Sequence, residues 1–233
     1  MRTPLLTATA VALTVVGIGP ASAAFLVDFT DAGWADPITT PVDRTYNAPF
    51  GDFIVRVGAV GGTIDNSEPG PMSTGCSSTG QLACATDGFG IGDDEVTNPA
   101  EALTVDFFET DGTTPLSLTV TGLEFFDTFT HPDPNNSDKE SAIVTPVGGP
   151  SSEFFAIEPF SDNGGYLNVS AVFSGITGLK IEAGSLNDGQ QNPDIALAGV
   201  HVVPLPAAAW MMVGGLGLVY GATRRRRARA LAT

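Results

Sequence analysis

The fold class this sequence predicts is all-β: an antiparallel two-sheet sandwich, jelly-roll-like. Three observations carry it. Short runs rich in Phe, Val, Ile and Thr recur between clusters of Gly, Pro, Asn and Asp. Several runs alternate apolar and polar residues with a period of two. Helical periodicity is nearly missing from residues 24–203, about 180 residues, enough for one domain with a sizeable core. The predicted strands are 25–29, 53–60, 103–108, 116–126, 154–158, 166–173, 179–183 and 195–203. In the second of these Phe53, Val55 and Val57 face one way, against Ile54 and Arg56. In the fourth, Leu116, Leu118 and Val120 oppose Ser117 and Thr119. No repeat of fixed period occurs, which argues against a propeller or solenoid. Pattern alone leaves jelly-roll and immunoglobulin-like topologies both open. Turn-rich stretches at 31–49, 61–94, 127–140 and 184–193 are long enough to carry function.

Charge is unevenly placed. All 26 acidic residues lie between Ala24 and Val203, where the only basic residues are Arg44, Arg56, Lys139 and Lys180. So acidic a body repels phosphate backbones, and nucleic acid is excluded as a partner. Two His and two Cys argue against zinc-finger, haem and iron–sulfur proteins. The 42% hydrophobic content and 14 Phe argue against intrinsic disorder.

The two ends read as addresses. Residues 1–23 have the parts of a secretory signal peptide: Arg2, an apolar run from Leu5 to Ile18, Pro20, and the small-x-small site Ala21-Ser22-Ala23. A run of about 14 residues is short for a membrane span, so cleavage before Ala24 is expected. At the other end, Val203-Pro204-Leu205-Pro206-Ala207 leads into an apolar stretch at 207–222 and then into Arg224, Arg225, Arg226, Arg227 and Arg229. That stretch predicts a short transmembrane helix, about 24 Å long, with Trp210 and Tyr220 near its ends. The arginines stop transfer and stay in the cytoplasm. The body, residues 24–202, then lies outside the inner membrane.

This order of proline motif, single apolar helix and terminal arginine cluster resembles the PEP-CTERM class of sorting signals, and Val203 to Ala207 is similar to its VPLPA variant. The resemblance spans residues 203–233. It implies processing by an exosortase, a membrane-embedded cysteine-dependent transpeptidase-like protease of Gram-negative bacteria, after signal peptidase has acted. It also implies transient anchoring in the inner membrane, a final place in the cell envelope, on the surface or outside the cell, and a link to exopolysaccharide and biofilm.

Inside the body, Cys76 and Cys84 are expected to pair as a disulfide, because an exported chain matures in an oxidising compartment. Closing so small a loop would contribute roughly 2–3 kcal/mol. Asp87, Asp93, Asp94 and Glu95 sit on a glycine-rich segment whose turns could join backbone carbonyls to carboxylates around Ca²⁺, at an affinity of about 10⁻⁴–10⁻³ M. The spacing is not that of an EF-hand, since Asn98 stands at the twelfth position from Asp87. The segment resembles a glycine–acid turn of PEP-CTERM proteins, Glu101 included. Asp188 and Asp194, before the last strand, are a weaker pair for the same ion, and the cluster around Asp133 and Asp138 reads as a plain loop.

Catalysis has little support. The sequence has no G-x-S-x-G elbow, and His201 alternates with Val200 and Val202 as an ordinary strand residue. With so many acids, pairs of carboxylates at glycosidase spacing carry no information. Trp34, Tyr46 and Tyr166 could stack on sugar rings, although scattered aromatics more often pack a core. The sequence therefore points to a non-enzymatic exported protein. The alternatives are a calcium-dependent carbohydrate-binding module and, behind it, a secreted glycan-acting enzyme.

Overall fold

The computed structural model describes residues 24–34, 41–67, 81–92, 95–97, 100–130, 139–159, 163–184 and 194–205. The strands are β1 (Phe25–Asp28), β2 (Val42–Ala48), β3 (Gly51–Val60), β4 (Ile64–Asp65), β5 (Gly90–Ile91), β6 (Val96–Thr97), β7 (Ala102–Phe108) and β8 (Leu118–Phe126). They continue with β9 (Phe129–Thr130), β10 (Ser141–Pro146), β11 (Ser152–Phe155), β12 (Glu158–Pro159), β13 (Leu167–Ile176), β14 (Gly178–Ala183) and β15 (Asp194–Pro204). Among the described residues the one helical element is the short turn Asn163–Gly165.

Two antiparallel sheets form a β-sandwich. The first runs β1-β15-β8-β13, with β6 also pairing β15, and the second runs β11-β10-β14-β7-β3-β2. Their facing sides share one core. Val27, Leu118, Val120, Leu123, Phe125, Leu167, Leu197, Val200 and Val202 come from the first sheet. Phe53, Val55, Val57, Leu103, Val105, Phe107, Val144, Leu179 and Ile181 meet them from the second. Each such side chain contributes about 1.5–3 kcal/mol on burial. The alternation read from the sequence holds in β3, where Phe53, Val55 and Val57 are fully buried and Ile54 and Arg56 are not. In β8 it holds as far as Val120. A bulge at Thr121 then resets the register, so that Leu123 and Phe125 face inward while Glu124 and Phe126 face outward.

The structure turns one predicted loop into a strand and adds a strand where none was predicted. The stretch 31–49 contains β2, whose backbone pairs β3 from Val42↔Val57 to Ala48↔Gly51. As the last strand of its sheet it turns Asp43, Thr45 and Asn47 to solvent, and inward it places Arg44 among apolar residues, which hides the pattern. β10 lies between the predicted loop 127–140 and the strand predicted from 154, and its inward residues Ala142 and Val144 are too few and small to stand out.

The predicted last strand is found and is longer. β15 continues through Pro204, with Val203 opposite Thr119 and Pro204 opposite Leu118 on β8. Its N-terminal half is covered on both faces: Ile195 and Leu197 enter the main core, and Ala196 and Ala198 pack with Leu82, Phe126 and Tyr166 on the outer side. No helix of the described residues is long and apolar enough to cross a membrane. The predicted signal peptide at 1–23 and the predicted span at 207–222 lie outside the described residues.

Candidate functional site

Three places bear on function: the sorting motif, the acidic end of the sandwich, and a buried polar cluster on the outer face of the first sheet.

The motif begins inside the fold. Pairing of β15 with β1 ends at Phe25↔Val202, so Val203 and Pro204 have β8 on one side and have passed the last β1 pair on the other. A proline, which lacks an N–H, is tolerated in a strand at such an edge position. Leu205 is half-buried and lies near Gly175 at the end of β13. Pro206, Ala207 and Arg224, Arg225, Arg226, Arg227 and Arg229 lie outside the described residues.

The acidic end is better anchored than a solvated turn. Phe89 and Ile91 are buried in the core. Phe89 exchanges both backbone hydrogen bonds with Leu197, at 3.0 and 2.9 Å. Gly88 makes this approach possible: its φ is +118°, and a Cβ there would sit 2.5 Å from the Leu197 carbonyl oxygen. Asp87 is buried and Glu95 half-buried, while Asp93, Asp94 and Asp188 lie outside the described residues. Pairing of β6 with β15 sets Asp194 opposite Thr97, whose hydroxyl donates to the Asp194 carboxylate at 3.1 Å. The segments that carry Glu95 and Asp194 are thereby joined at one end of the sandwich. Nearby, burial pushes the Glu140 carboxyl up to about 8, against the Phe129 N–H bond that lowers it, and the charges of Asp194 and Asp127 raise it further. Among the described residues no group of three or more His, Cys, Asp or Glu is arranged to hold a metal.

The polar cluster was not legible in the sequence. Glu124 on β8 is 1% exposed. Its carboxylate accepts the Tyr166 hydroxyl at 2.9 Å and pairs with His201 Nε2 on β15 at 2.5 Å. Asn168 on β13 donates to the Tyr166 oxygen at 3.1 Å. Gly122 leaves the room the imidazole occupies, since a Cβ there would lie 3.2 Å from His201 Cδ2. The signal available was a lone acid within Leu123-Glu124-Phe125-Phe126, a position that must find partners once buried.

The aromatic platform is not formed. Trp34 is 3% exposed and packs its ring on Phe29 and Phe89, and Tyr46 stacks on Phe53. Tyr166 is buried in the polar cluster. Trp34 Nε1 and the Tyr46 hydroxyl both donate to the Asp28 carbonyl, at 2.8 and 3.3 Å, and Arg44 lies over both rings. Burial raises the Tyr46 phenol well above its ordinary range. The Asp31 carboxyl, which pairs with Arg44, is held low first by the Gly33 N–H and then by the guanidinium.

Asp28 fastens the cysteine segment. Its carboxylate accepts Thr30 N and Oγ1 at 2.8 and 2.6 Å and Ala83 N at 2.7 Å, and Cys84 N donates to Thr30 Oγ1 at 2.8 Å. Cys84 is disulfide-bonded. Cys76 lies outside the described residues.

Comparison with known proteins adds no family. No family model matches the chain, and no curated protein does. Among solved structures, a DUF4465 family protein from Bacteroides ovatus aligns over 78% of this chain and 98% of its own, at 7% identity and a TM-score of 0.38. The fold assignment rests on the strand order and the shared core.

Proposed function

We propose that this chain is a non-catalytic, acidic β-sandwich exported across the inner membrane, anchored there by its C-terminal segment, and delivered to the cell envelope, surface or extracellular matrix when an exosortase cuts near Pro206–Ala207. The observation that carries this reading is the order of residues 203–233: proline motif, apolar stretch, arginine block, following the last strand without a linker. The link to exopolysaccharide follows from the resemblance to the PEP-CTERM class. In support of a non-catalytic body, His201 is bound up with Glu124 and the Tyr166 hydroxyl in a polar cluster that links neighbouring strands. The strand order supports a jelly roll: β1-β15-β8-β13 against β11-β10-β14-β7 is the arrangement of two interleaved Greek keys, and the β2–β3 hairpin extends the second sheet.

The test is fractionation of the native host expressing the full chain and a Pro204→Ala/Pro206→Ala variant. The native chain should leave the membrane as a shortened form, and the variant should accumulate there at precursor length. Equal release of both would end the sorting reading.

One observation favours a second role for the same body. The β6–β15 pairing sets Asp194 opposite Thr97, two residues after Glu95, so one predicted calcium ligand from each stretch lies at the same end of the sandwich. Calcium bound there would serve the carbohydrate-binding alternative, though Trp34, Tyr46 and Tyr166 do not supply its sugar-stacking face. At millimolar Ca²⁺ the melting temperature should rise, and an equal concentration of Mg²⁺ should not reproduce it. No shift with Ca²⁺ would remove this role.

A further inference from the structure

We infer that the folded sandwich itself gates processing: the first half of the sorting motif is withheld in β15, and the protease acts on chains whose strand end has peeled from β8. This rests on the sorting function proposed above and concerns how that same site is controlled.

Val202, fully buried, pairs Phe25 on one side and Val120 on the other. The next residues, Val203 and Pro204, are still in register with Thr119 and Leu118, and Leu205 lies near Gly175. Three of the five motif residues therefore belong to the body's surface or its sheet before the membrane segment begins. A protease cleft that takes an extended peptide must close around both edges and both faces of the segment it cuts, and β8 already occupies one edge of Val203–Pro204. Both cannot hold Val203–Pro204 at once.

The geometry also locates the opening. β1 stops at Val202, so peeling back Val203–Leu205 breaks contacts with β8 and β13 and leaves β1 in place. At Val202 the strand becomes a core strand between two neighbours, and peeling further would expose Val200 and Val202 to water. Fraying is thereby limited to the residues that the protease needs. A folded body presents a small open fraction, and apparent affinity for the protease falls by that fraction.

The experiment compares precursor half-lives by pulse–chase in the native host. One variant keeps Val203-Pro204-Leu205 in the strand and inserts after Leu205 four Gly-Ser pairs followed by a second Val-Pro-Leu, which continues into Pro206. A second carries the four Gly-Ser pairs without the repeat. The gating account predicts that the first variant matures roughly 30- to 150-fold faster than the native chain, the ratio of closed to open ends that two or three sheet hydrogen bonds of about 1 kcal/mol each maintain. An unchanged half-life overturns it, and would mean that the motif is read before β15 docks. If native chain, first variant and second variant are all released alike, or none is cut, the sorting function itself fails and the gate with it. Equal melting temperatures of the three purified bodies exclude an effect of misfolding.

Discussion

Replacing Glu124 with Leu tests whether the polar cluster on the outer face of the first sheet holds β8, β13 and β15 together. The carboxylate has a partner on each neighbouring strand side: the Tyr166 hydroxyl at 2.9 Å and His201 Nε2 at 2.5 Å. In Glu124→Leu the buried Tyr166 O–H loses its acceptor, at a cost of about 1–3 kcal/mol, and keeps Asn168 only as a donor to its oxygen. His201 loses a charge-assisted bond but keeps some access to water, which adds about 1 kcal/mol. The expected loss is therefore about 2–4 kcal/mol, or a fall of roughly 5–15 °C for a domain of this size. Tyr166→Phe removes two bonds, the one to Glu124 and the one from Asn168, and leaves Glu124 paired to His201, so about 1–2 kcal/mol is expected. Because the two residues touch, the double variant should lose less than the sum, by about 1 kcal/mol or more. Urea unfolding of all four proteins gives the cycle. A Glu124→Leu protein as stable as the native one, with additive effects, would refute the reasoning and make the cluster replaceable by apolar packing.

Three further outcomes follow from particular residues. Glu140 has its folded-state carboxyl raised to about 8 from an ordinary 4.5, so the stability it contributes is full below about 4.5 and is lost as pH rises through about 8. Glu140→Gln should be more stable than the native chain at pH 8.5 by roughly 1–3 kcal/mol, with the difference vanishing near pH 4; thermal melts across that range read it. Gly88→Ala forces a side chain into a left-handed backbone against the Leu197 carbonyl and should cost about 2–3 kcal/mol, measured by denaturant unfolding. Reduction, or Cys84→Ser, should lower stability by about 2–3 kcal/mol and speed proteolysis of the segment that Asp28 and Thr30 otherwise hold.

What the sequence made legible was the set of strands that are buried on one side and rich in branched or aromatic residues. β3, β7, β8, β14 and β15 fall near their predicted bounds for that reason. β2 escaped because an edge strand with Asp43, Thr45 and Asn47 outward and Arg44 inward reads as polar, and β10 because Ser141, Ala142 and Pro146 carry weak strand preference. The segment from Asp87 reads in the sequence as a glycine-rich acidic turn, and its glycines conceal two core residues, Phe89 and Ile91. His201 was read as an ordinary strand position; its partner Glu124 lies 77 residues earlier, and only the pairing of β8 with β15 brings them together. The aromatic residues had no period that could assign them to core or surface. The motif at Val203 to Ala207 was legible as linear chemistry, but its entry into β15 was not, since a proline normally marks the end of a strand.

The central claim, export followed by cleavage at the C-terminal motif, is tested most directly by intact mass spectrometry of the protein recovered from the native cell surface and medium. The account predicts a species that lacks residues 1–23 and everything beyond about Ala207, with the sandwich to Leu205 intact. A recovered species that still contains Arg224–Arg229 would contradict it, and would make the chain a permanently anchored ectodomain whose prolines only end a strand.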